Sequence, residues 1–388
     1  MKTTIGVLFG CPSVEHEVAV ISALRTMEAL DPEKYDIFPI YITKTGEWYW
    51  GEVLTEPENF KDIEEMLEDC EPILVSPNLK DGTVFVYPRS FISKRPLAII
   101  DIFMPVTHGA YGEDGCLQGF LELTGLPYTG PGVLSAAVGM DKVAQKALCK
   151  MGGVPVLDCF WFYGPQWSDG EDDIVEYIER KFSYPVVVKP ANLGSSIGVS
   201  LAQNREELVA AVENAVQYTD KLLVEKAVTR LRELNIAVLG DVYKAEVSAI
   251  EETVAGGPIL TFADKYVRED GIKIAGMESQ NRHLPADITA EQATAIENYA
   301  LDAFYCLNGT GVWRFDFLLD EATGKIYLNE VNTIPGSLAY YLWEPKGVAP
   351  EELMERLIRI ALREKQRQVG KITSFRNNLL VRGDLGED

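Results

Sequence analysis

The stretch RFDFLLDEATGKIYLNEVN, residues 314–332, places Arg314, Asp316, Glu330 and Asn332 on two segments that are otherwise apolar enough to be buried. WRFDFLL and KIYLNEVN read as strands, and EATG as the turn between them. Paired antiparallel about that turn, Asp316 falls opposite Glu330, and Arg314 opposite Asn332. Side chains alternate faces along a strand, so all four share one face, with cross-strand neighbours ~5 Å apart. Trp313, Phe315, Phe317 and Val331 fill the other face. Two carboxylates that close, in a partly buried place, repel and desolvate badly unless a cation joins them. A hard divalent ion with carboxylate and amide oxygen ligands fits, and Mg2+ is the usual one beside phosphates. The bland alternative is a solvated acidic face, in a chain with 59 acidic residues. Exposing that face would also bring Val312, Leu318, Ile326 and Leu328 into water, so a metal site is the expectation.

Other segments carry weaker signals. In VVVKPANLGSSIGVS, Lys189 ends a strand and Gly194-Ser195-Ser196 make a tight loop. Such loops aim backbone N–H groups and hydroxyls at an anion, with a lysine supplying charge. Alone, the stretch reads equally well as a hairpin turn with an exposed lysine. In LLVEKAVTRLREL, Glu225 and Lys226 sit at a strand end, before a basic loop and Glu233. An acidic group there can accept from ribose hydroxyls and the adjacent backbone can meet an adenine edge, although a plain strand-end charge pair is the commoner meaning.

PSVEHEVAV offers Ser13 as a helix N-cap and Glu15 in the first turn, where a carboxylate suits the helix dipole. The functional alternative has Glu15, at the carboxyl edge of a parallel strand, holding an ammonium group, because ligands gather at such edges. His108 follows IIDIFMPVT at the corresponding edge of another strand. A lone histidine is usually structural, so its candidacy rests on location. TFADKYVREDGIKIAG puts Lys265 and Tyr266 in a long polar segment, either a lid or an ordinary surface loop.

These residues need a scaffold. TTIGVLFG, FPIYIT and LAIIDIFMPV read as buried strands, VEHEVAVISALRTMEAL as a helix, and GEWYWGE as a hairpin edge. Residues 59–96 resemble a charged surface excursion. Residues 1–130 therefore suggest a parallel α/β unit. MDKVAQKALCKMGG, YPVVVKP and GVSLA belong to a second unit, residues 131–224. LLVEKAV, ELNIAVLGD and VYKAEVSAI suggest antiparallel strands of a third unit, residues 225–388, which contains the acidic hairpin. The charged tail after Arg363 is expected to fray.

Composition narrows the partners. A chain of 388 residues has room for two or three domains, and 47% hydrophobic with 24% charged residues is an ordinary globular balance. The net charge of −23 argues against nucleic acid and anionic membranes, which select a basic footprint. Six scattered cysteines without a CxxC pair fit reduced thiols. No apolar run has signal-peptide form or reaches the ~18 residues of a membrane span, so a cytoplasmic protein is the expectation.

Taken in order, SVEHEVAVIS, HGAYGEDGCLQG, YTGPGVLSAAVGMDK, VVVKPANLGSSIGVS, DKY, RFDF and NEVNTIPG resemble the ATP-grasp ligases and, within them, the D-alanine–D-alanine ligase family. The resemblance covers nearly the whole chain. Each piece is weak alone, whereas the ordered set is highly specific. It implies a three-domain α/β ATP-grasp fold: an N-terminal parallel α/β domain and two ATP-grasp α+β domains that grip ATP and metal between them.

Residue by residue, the resemblance implies that Lys142 and Lys189 contact ATP phosphates under a loop carrying Ser195 and Ser196. Glu225, Lys226, Val228 and Glu233 would line the adenine and ribose pocket, though TRLRE is one residue longer than the commoner spacing. Asp316, Glu330 and Asn332 would bind two Mg2+ ions, for which Mn2+ could substitute. Lys265 would reach a phosphate or the acceptor carboxylate. Arg314 and the backbone N–H of Gly336 would stabilise an oxyanion, and Glu15, His108, Ser195 and Tyr266 would hold the first D-amino acid.

The implied activity joins two D-alanines through an acyl phosphate, for peptidoglycan precursors. A homodimer is the family's habit. One departure stands out: Tyr341, before Leu342, occupies the place of the small hydroxyl residue that receives the acceptor carboxylate, with Ser337 the nearest compensation. Acceptors such as D-lactate or D-serine are thus the rivals within the enzyme class. A catalytically silent nucleotide-binding regulator is the rival outside it, and the intact Arg314, Asp316, Glu330 and Asn332 set opposes that.

Overall fold

The computed structural model describes residues 2–78, 80–86, 95–253 and 282–372, together with the short strands noted below. Three main sheets organise the chain. The first has seven strands: β1 (Thr3–Gly10), β2 (Tyr35–Ile42), β3 (Trp48–Trp50), β4 (Glu71–Val75), β5 (Thr83–Val86), β6 (Ala98–Ile99) and β7 (Ile102–Thr107). Their order is β6-β5-β4-β3-β2-β1-β7. Only β2, β1 and β7 run parallel, as their unbroken apolar runs require. The other four extend the sheet antiparallel.

Two expectations are corrected here. GEWYWGE forms a hairpin with β2, but β4 pairs on its far side, so it is interior rather than an edge. Residues 59–96 are no simple excursion: they supply helix α2 (Ile63–Glu68), β4 and β5, and bury Cys70, Ile73, Val75 and Val84. Their charges occupy the solvent side of strands whose inner side is apolar.

Helix α1 (His16–Glu28) follows β1, and α3 (Cys116–Thr124) follows the loop after β7. One core cluster joins Ile5, Val7 and Phe9 of the first sheet to Trp343, Leu353 and Leu357 near the end of the described chain. The beginning and end of the chain thus share a core, which brings residues 333–343 against α1.

Helices α4 (Val133–Met140) and α5 (Lys142–Met151) precede the second sheet of β8 (Cys159–Tyr163), β9 (Val186–Pro190), β10 (Ser200–Ala202) and β11 (Lys221–Lys226), ordered β10-β9-β11-β8. Helices α6 (Gly164–Lys181) and α7 (Arg205–Ala215) cover one of its faces around Phe162, Val188, Val212 and Leu222. LLVEKAV is therefore part of this sheet and not of the third unit, and the expected boundary at residue 224 falls within β11. Cys149 of α5, by contrast, packs with the third sheet's core.

The third sheet contains β12 (Leu231–Gly240), β13 (Ala245–Thr253), β16 (Arg282–His283), β17 (Gly311–Asp320) and β18 (Lys325–Asn332), ordered β16-β13-β12-β17-β18. Strands β14 (Val267–Arg268) and β15 (Gly271–Ile272) form a separate pair. Helix α8 (Ala290–Cys306) backs this sheet, and α9 (Pro350–Val369) closes the described chain. Helix α9 continues past Arg363, where fraying was expected.

Hairpin β17–β18 has the expected register, with Arg314 opposite Asn332 and Asp316 opposite Glu330. Its turn is EATG, and Trp313, Phe315, Phe317 and Val331 lie in one core cluster. A bulge then pairs Phe317 with Leu328, leaving Asn329 as the extra residue. The bulge corrects the expected faces of Ile326 and Leu328: both join Phe317 and Leu319 in the core. Among the described residues no helix is long and apolar enough to cross a membrane.

Candidate active site

Lys189 is the penultimate residue of β9, and β11 runs antiparallel beside it, which brings Lys189 against Glu225. The Lys189 Nζ donates to Glu225 Oε1 and, 2.8 Å away, to the bulged Asn329 Oδ1. The other Glu225 oxygen faces Lys146 Nζ at 2.9 Å. Burial alone would push the Glu225 carboxyl up, but Lys146 and Lys189 outweigh it and hold the group down at about 2. Lys146 was not expected. Its signal was the four-residue spacing from Lys142, which sets both lysines on one face of α5.

A cavity of about 600 Å³ opens beside this cluster, within the range of nucleotide-sized pockets. Every described residue expected at ATP lines it except Ser195: Lys142, Lys189, Ser196, Glu225, Lys226, Val228 and Glu233. Glu233 keeps its place despite the longer TRLRE segment. Lys226 turns its ammonium onto the carbonyls of Ser183 and Tyr184, so its side chain braces the cavity wall.

A smaller polar cleft adjoins this cavity, and Lys142, Leu193 and Glu330 line both. Ser195 and Ser196, at φ 53 and 59, make the tight loop expected from GSS. Ser195 Oγ donates to Glu15 Oε1, joining the second sheet's loop to the first domain. Helix α1 begins at His16, and Ser13 Oγ accepts from the Glu15 N–H at 3.1 Å. The Glu15 carboxylate makes no cap bond and is left to face the cleft. A Cβ at Gly194 would lie 2.8 Å from Glu15 Oε2, so a larger residue there must displace the Glu15 carboxylate or the loop.

Arg314 grips Asp316 with a fork: Nε to Oδ1 is 2.7 Å and Nη2 to Oδ2 is 2.8 Å. Asn332 Nδ2 donates to Asp316 Oδ2 at 3.2 Å, which leaves its amide oxygen as an acceptor. Lys142 Nζ stands 3.3 Å from Glu330 Oε2. The two carboxylates are thus each faced by a cation of the chain. Their donor set, carboxylate and amide oxygen with neither thiol nor imidazole, suits a hard divalent ion.

His108 is buried in the same cleft. Its Nε2 is 2.9 Å from Ser22 Oγ, and its Nδ1 lies 3.9 Å from Glu113 Oε2. Burial drives the imidazole down to about 4, so it is neutral at pH 7. Glu113 was not singled out in the sequence, although HGAYGEDG holds it. It accepts from the backbone N–H groups of Gly109 and Ile334, both at 2.9 Å. Burial, and then the charge of Glu15, push it up to about 8.

Gly336 lines the cleft, but Tyr341 and Leu342 line neither cavity. Leu342 is wholly buried in the core. The Tyr341 hydroxyl donates to Glu251 Oε2 at 3.1 Å, and the Arg282 guanidinium lies 4.8 Å from its ring. The structure therefore does not bring these two residues to the acceptor side of the cleft. The bulk of a tyrosine, once the strand-to-helix turn buries it, demands a core partner. Lys265 and Tyr266 lie outside the described residues.

Comparison with known proteins agrees with this geometry. Residues 4–131 match the family model described as D-ala D-ala ligase N-terminus, and residues 148–359 the one described as D-ala D-ala ligase C-terminus. The chain is 39% identical over 371 residues to a D-alanine–D-alanine ligase of Geobacillus kaustophilus, covering 94% of this chain and 96% of that one. It is 39% identical over 376 residues to a D-alanine–D-alanine ligase of Thermosipho africanus, covering 97% of each. Among solved structures it is similar to the D-alanine–D-alanine ligase of Coxiella burnetii, with TM-score 0.78 and 28% identity over 98% of this chain and 97% of that one. The D-Ala:D-Ser ligase VanG of Enterococcus faecalis aligns with TM-score 0.77 and 29% identity, over 93% and 100% respectively. With both family models in order along the chain, and the acidic hairpin and lysine cluster folded together, the chain belongs to the D-alanine–D-alanine ligase family.

Proposed function

We propose that this protein joins two D-alanines to D-alanyl-D-alanine at the expense of ATP, for peptidoglycan precursors. The observation that carries the reading is the junction of the two cavities, where Lys142 and Glu330 face both the nucleotide side and the cleft. A carboxylate held in the cleft is there presented to the terminal phosphate of a nucleotide in the larger cavity.

Glu15 holds the ammonium of the first amino acid, and Ser195 fixes that carboxylate from the opposite domain. Lys142 and Lys189 draw charge from the phosphates as the γ-phosphoryl passes to the substrate carboxylate. The acyl phosphate so formed is attacked by the second amine, and Arg314 with the Gly336 N–H steadies the oxyanion before phosphate leaves. Asp316, Glu330 and Asn332 would hold two Mg2+ ions, with Mn2+ as a substitute. When bound, such ions would neutralise charge on the phosphates. Domain division near residue 130 and between β11 and β12, a homodimer, and residence in the cytoplasm complete the proposal.

D-serine as acceptor is the second reading. It is favoured by the likeness to VanG and by Tyr341, which removes the usual small hydroxyl from the expected place. An acceptor panel of D-alanine, D-serine and D-lactate, read by phosphate release, tests both. Stronger turnover with D-serine or D-lactate replaces the first reading, and ATP binding without turnover on any of them makes the chain a silent regulator.

A further inference from the structure

Ser22 lies on the buried side of α1 with 1% exposure; it ends the SVEHEVAVIS motif, but the resemblance assigns it no role. Its Oγ sits 2.9 Å from the backbone N of Ser337 and 2.9 Å from His108 Nε2. The Ser337 N–H can only donate, so Ser22 Oγ accepts from it. The hydroxyl proton then serves His108 Nε2, which the network assigns as the unprotonated nitrogen. A neutral, buried imidazole suits that role. Across the ring, Glu113 accepts from the Ile334 N–H at 2.9 Å and from Thr333 Oγ1 at 3.4 Å. Two first-domain side chains therefore hold backbone N–H groups on either side of Gly336, at residues 334 and 337.

The segment they hold is strained. Ser337, Leu338 and Ala339 have φ of 49, 52 and 52, three consecutive non-glycine residues in the left-handed region. Such residues are disfavoured for L side chains and persist only where the surroundings over-determine them. Within the turn, the Leu338 N–H donates to the Pro335 carbonyl at 2.8 Å. From outside it, Ser22 supplies the restraint.

We propose that Ser22 is a positioning residue: its hydroxyl ties the left-handed Ser337–Ala339 turn to His108, and so aims the Gly336 backbone N–H at the reacting carbonyl. The proposal rests on the ligase function given above, in which that N–H stabilises the oxyanion. It also gives His108 a second task, as the acceptor that orients Ser22. A misaimed oxyanion donor weakens the transition state more than the bound ground state, so its loss falls on kcat. The nucleotide cavity does not include Ser22, His108 or Ser337, so the KM for ATP is spared.

The test compares Ser22→Ala, Ser22→Thr and Ser22→Val by phosphate release with D-alanine, alongside thermal melting. Thr and Val have nearly the same shape and differ in the hydroxyl. Ser22→Val and Ser22→Ala should lose kcat by about 10- to 100-fold, with ATP KM within about two-fold, and Ser22→Thr should recover most of it. Equal kcat for the Thr and Val variants beside an active wild type overturns the positioning role, and so does an ATP KM that rises as much as kcat falls. A wild type that releases no phosphate with D-alanine sinks the ligase function itself, independently of Ser22.

Discussion

Lys142 Nζ lies 3.3 Å from Glu330 Oε2 at the seam between the nucleotide cavity and the polar cleft. A lysine from α5 and a glutamate from β18 meet because α5 packs against the third sheet while its lysines still reach the second. Glu330→Gln keeps the shape and removes one charge. It should lower phosphate release by at least about 100-fold, with circular dichroism and melting nearly unchanged, because the lost carboxylate acts on bound metal and phosphate. Near-normal phosphate release would take Glu330 out of the metal site.

Gly194 bears on the first amino acid. A methyl group there would come within 2.8 Å of Glu15 Oε2 and 3.0 Å of Oε1, so Glu15 or the loop must move. Gly194→Ala should raise the KM for D-alanine about ten-fold, the equivalent of about 1.4 kcal/mol. The KM for ATP should change less. Separate titrations of the two substrates decide it, and an effect confined to ATP would break the link between this loop and Glu15.

Glu225 makes stability depend on pH in a definite direction. Its folded pKa of about 2 is below the ordinary 4.5. Above pH 4.5 the group is charged in both states and its stabilisation is fully present; as pH falls from 4.5 through about 2 the unfolded chain takes up the proton first and the stabilisation is lost. A shift of that size corresponds to about 3 kcal/mol. Glu225→Gln leaves two buried lysines short of their counter-ion. It should cost about 3–5 kcal/mol at pH 7 and flatten the acid limb of denaturant-unfolding curves. An unchanged acid limb would contradict the buried triad.

Tyr341 should behave as a core residue. Removing its hydroxyl as Tyr341→Phe leaves Glu251 Oε2 with the Asn235 amide at 3.5 Å and without its closer donor. The expected cost is about 1–3 kcal/mol of stability, measured by urea unfolding, with acceptor KM within about two-fold. A large rise in acceptor KM at unchanged stability would return Tyr341 to the acceptor subsite.

Local rules made the hairpin readable. Alternating side chains and a four-residue turn are enough to pair Asp316 with Glu330 and Arg314 with Asn332, and that register is observed. The GSS loop and the parallel strands β1, β2 and β7 were legible for the same reason, each being written in a few neighbouring residues, whereas the list of nucleotide-cavity residues came from the family resemblance. The bulge at Asn329 was not, since one extra residue in a strand reverses the faces beyond it without altering the composition. The antiparallel extension through β3, β4 and β5 was obscured because charges on the solvent side of short strands resemble those of a loop.

Sequence alone thus determined which chemistry-bearing residues exist, their spacing along single strands and loops, and the family to which their order belongs. Tertiary structure decided which of them meet. Glu15 reaches Ser195, Lys146 joins Lys189 at Glu225, and Ser22 reaches Ser337, each across separations of 36 to 315 residues. Such pairings follow from how apolar faces are buried against one another, and burial is a property of the packed whole. Tyr341 shows the same cause in reverse: its position in the chain pointed to the cleft, and the packing of its ring took it into the core.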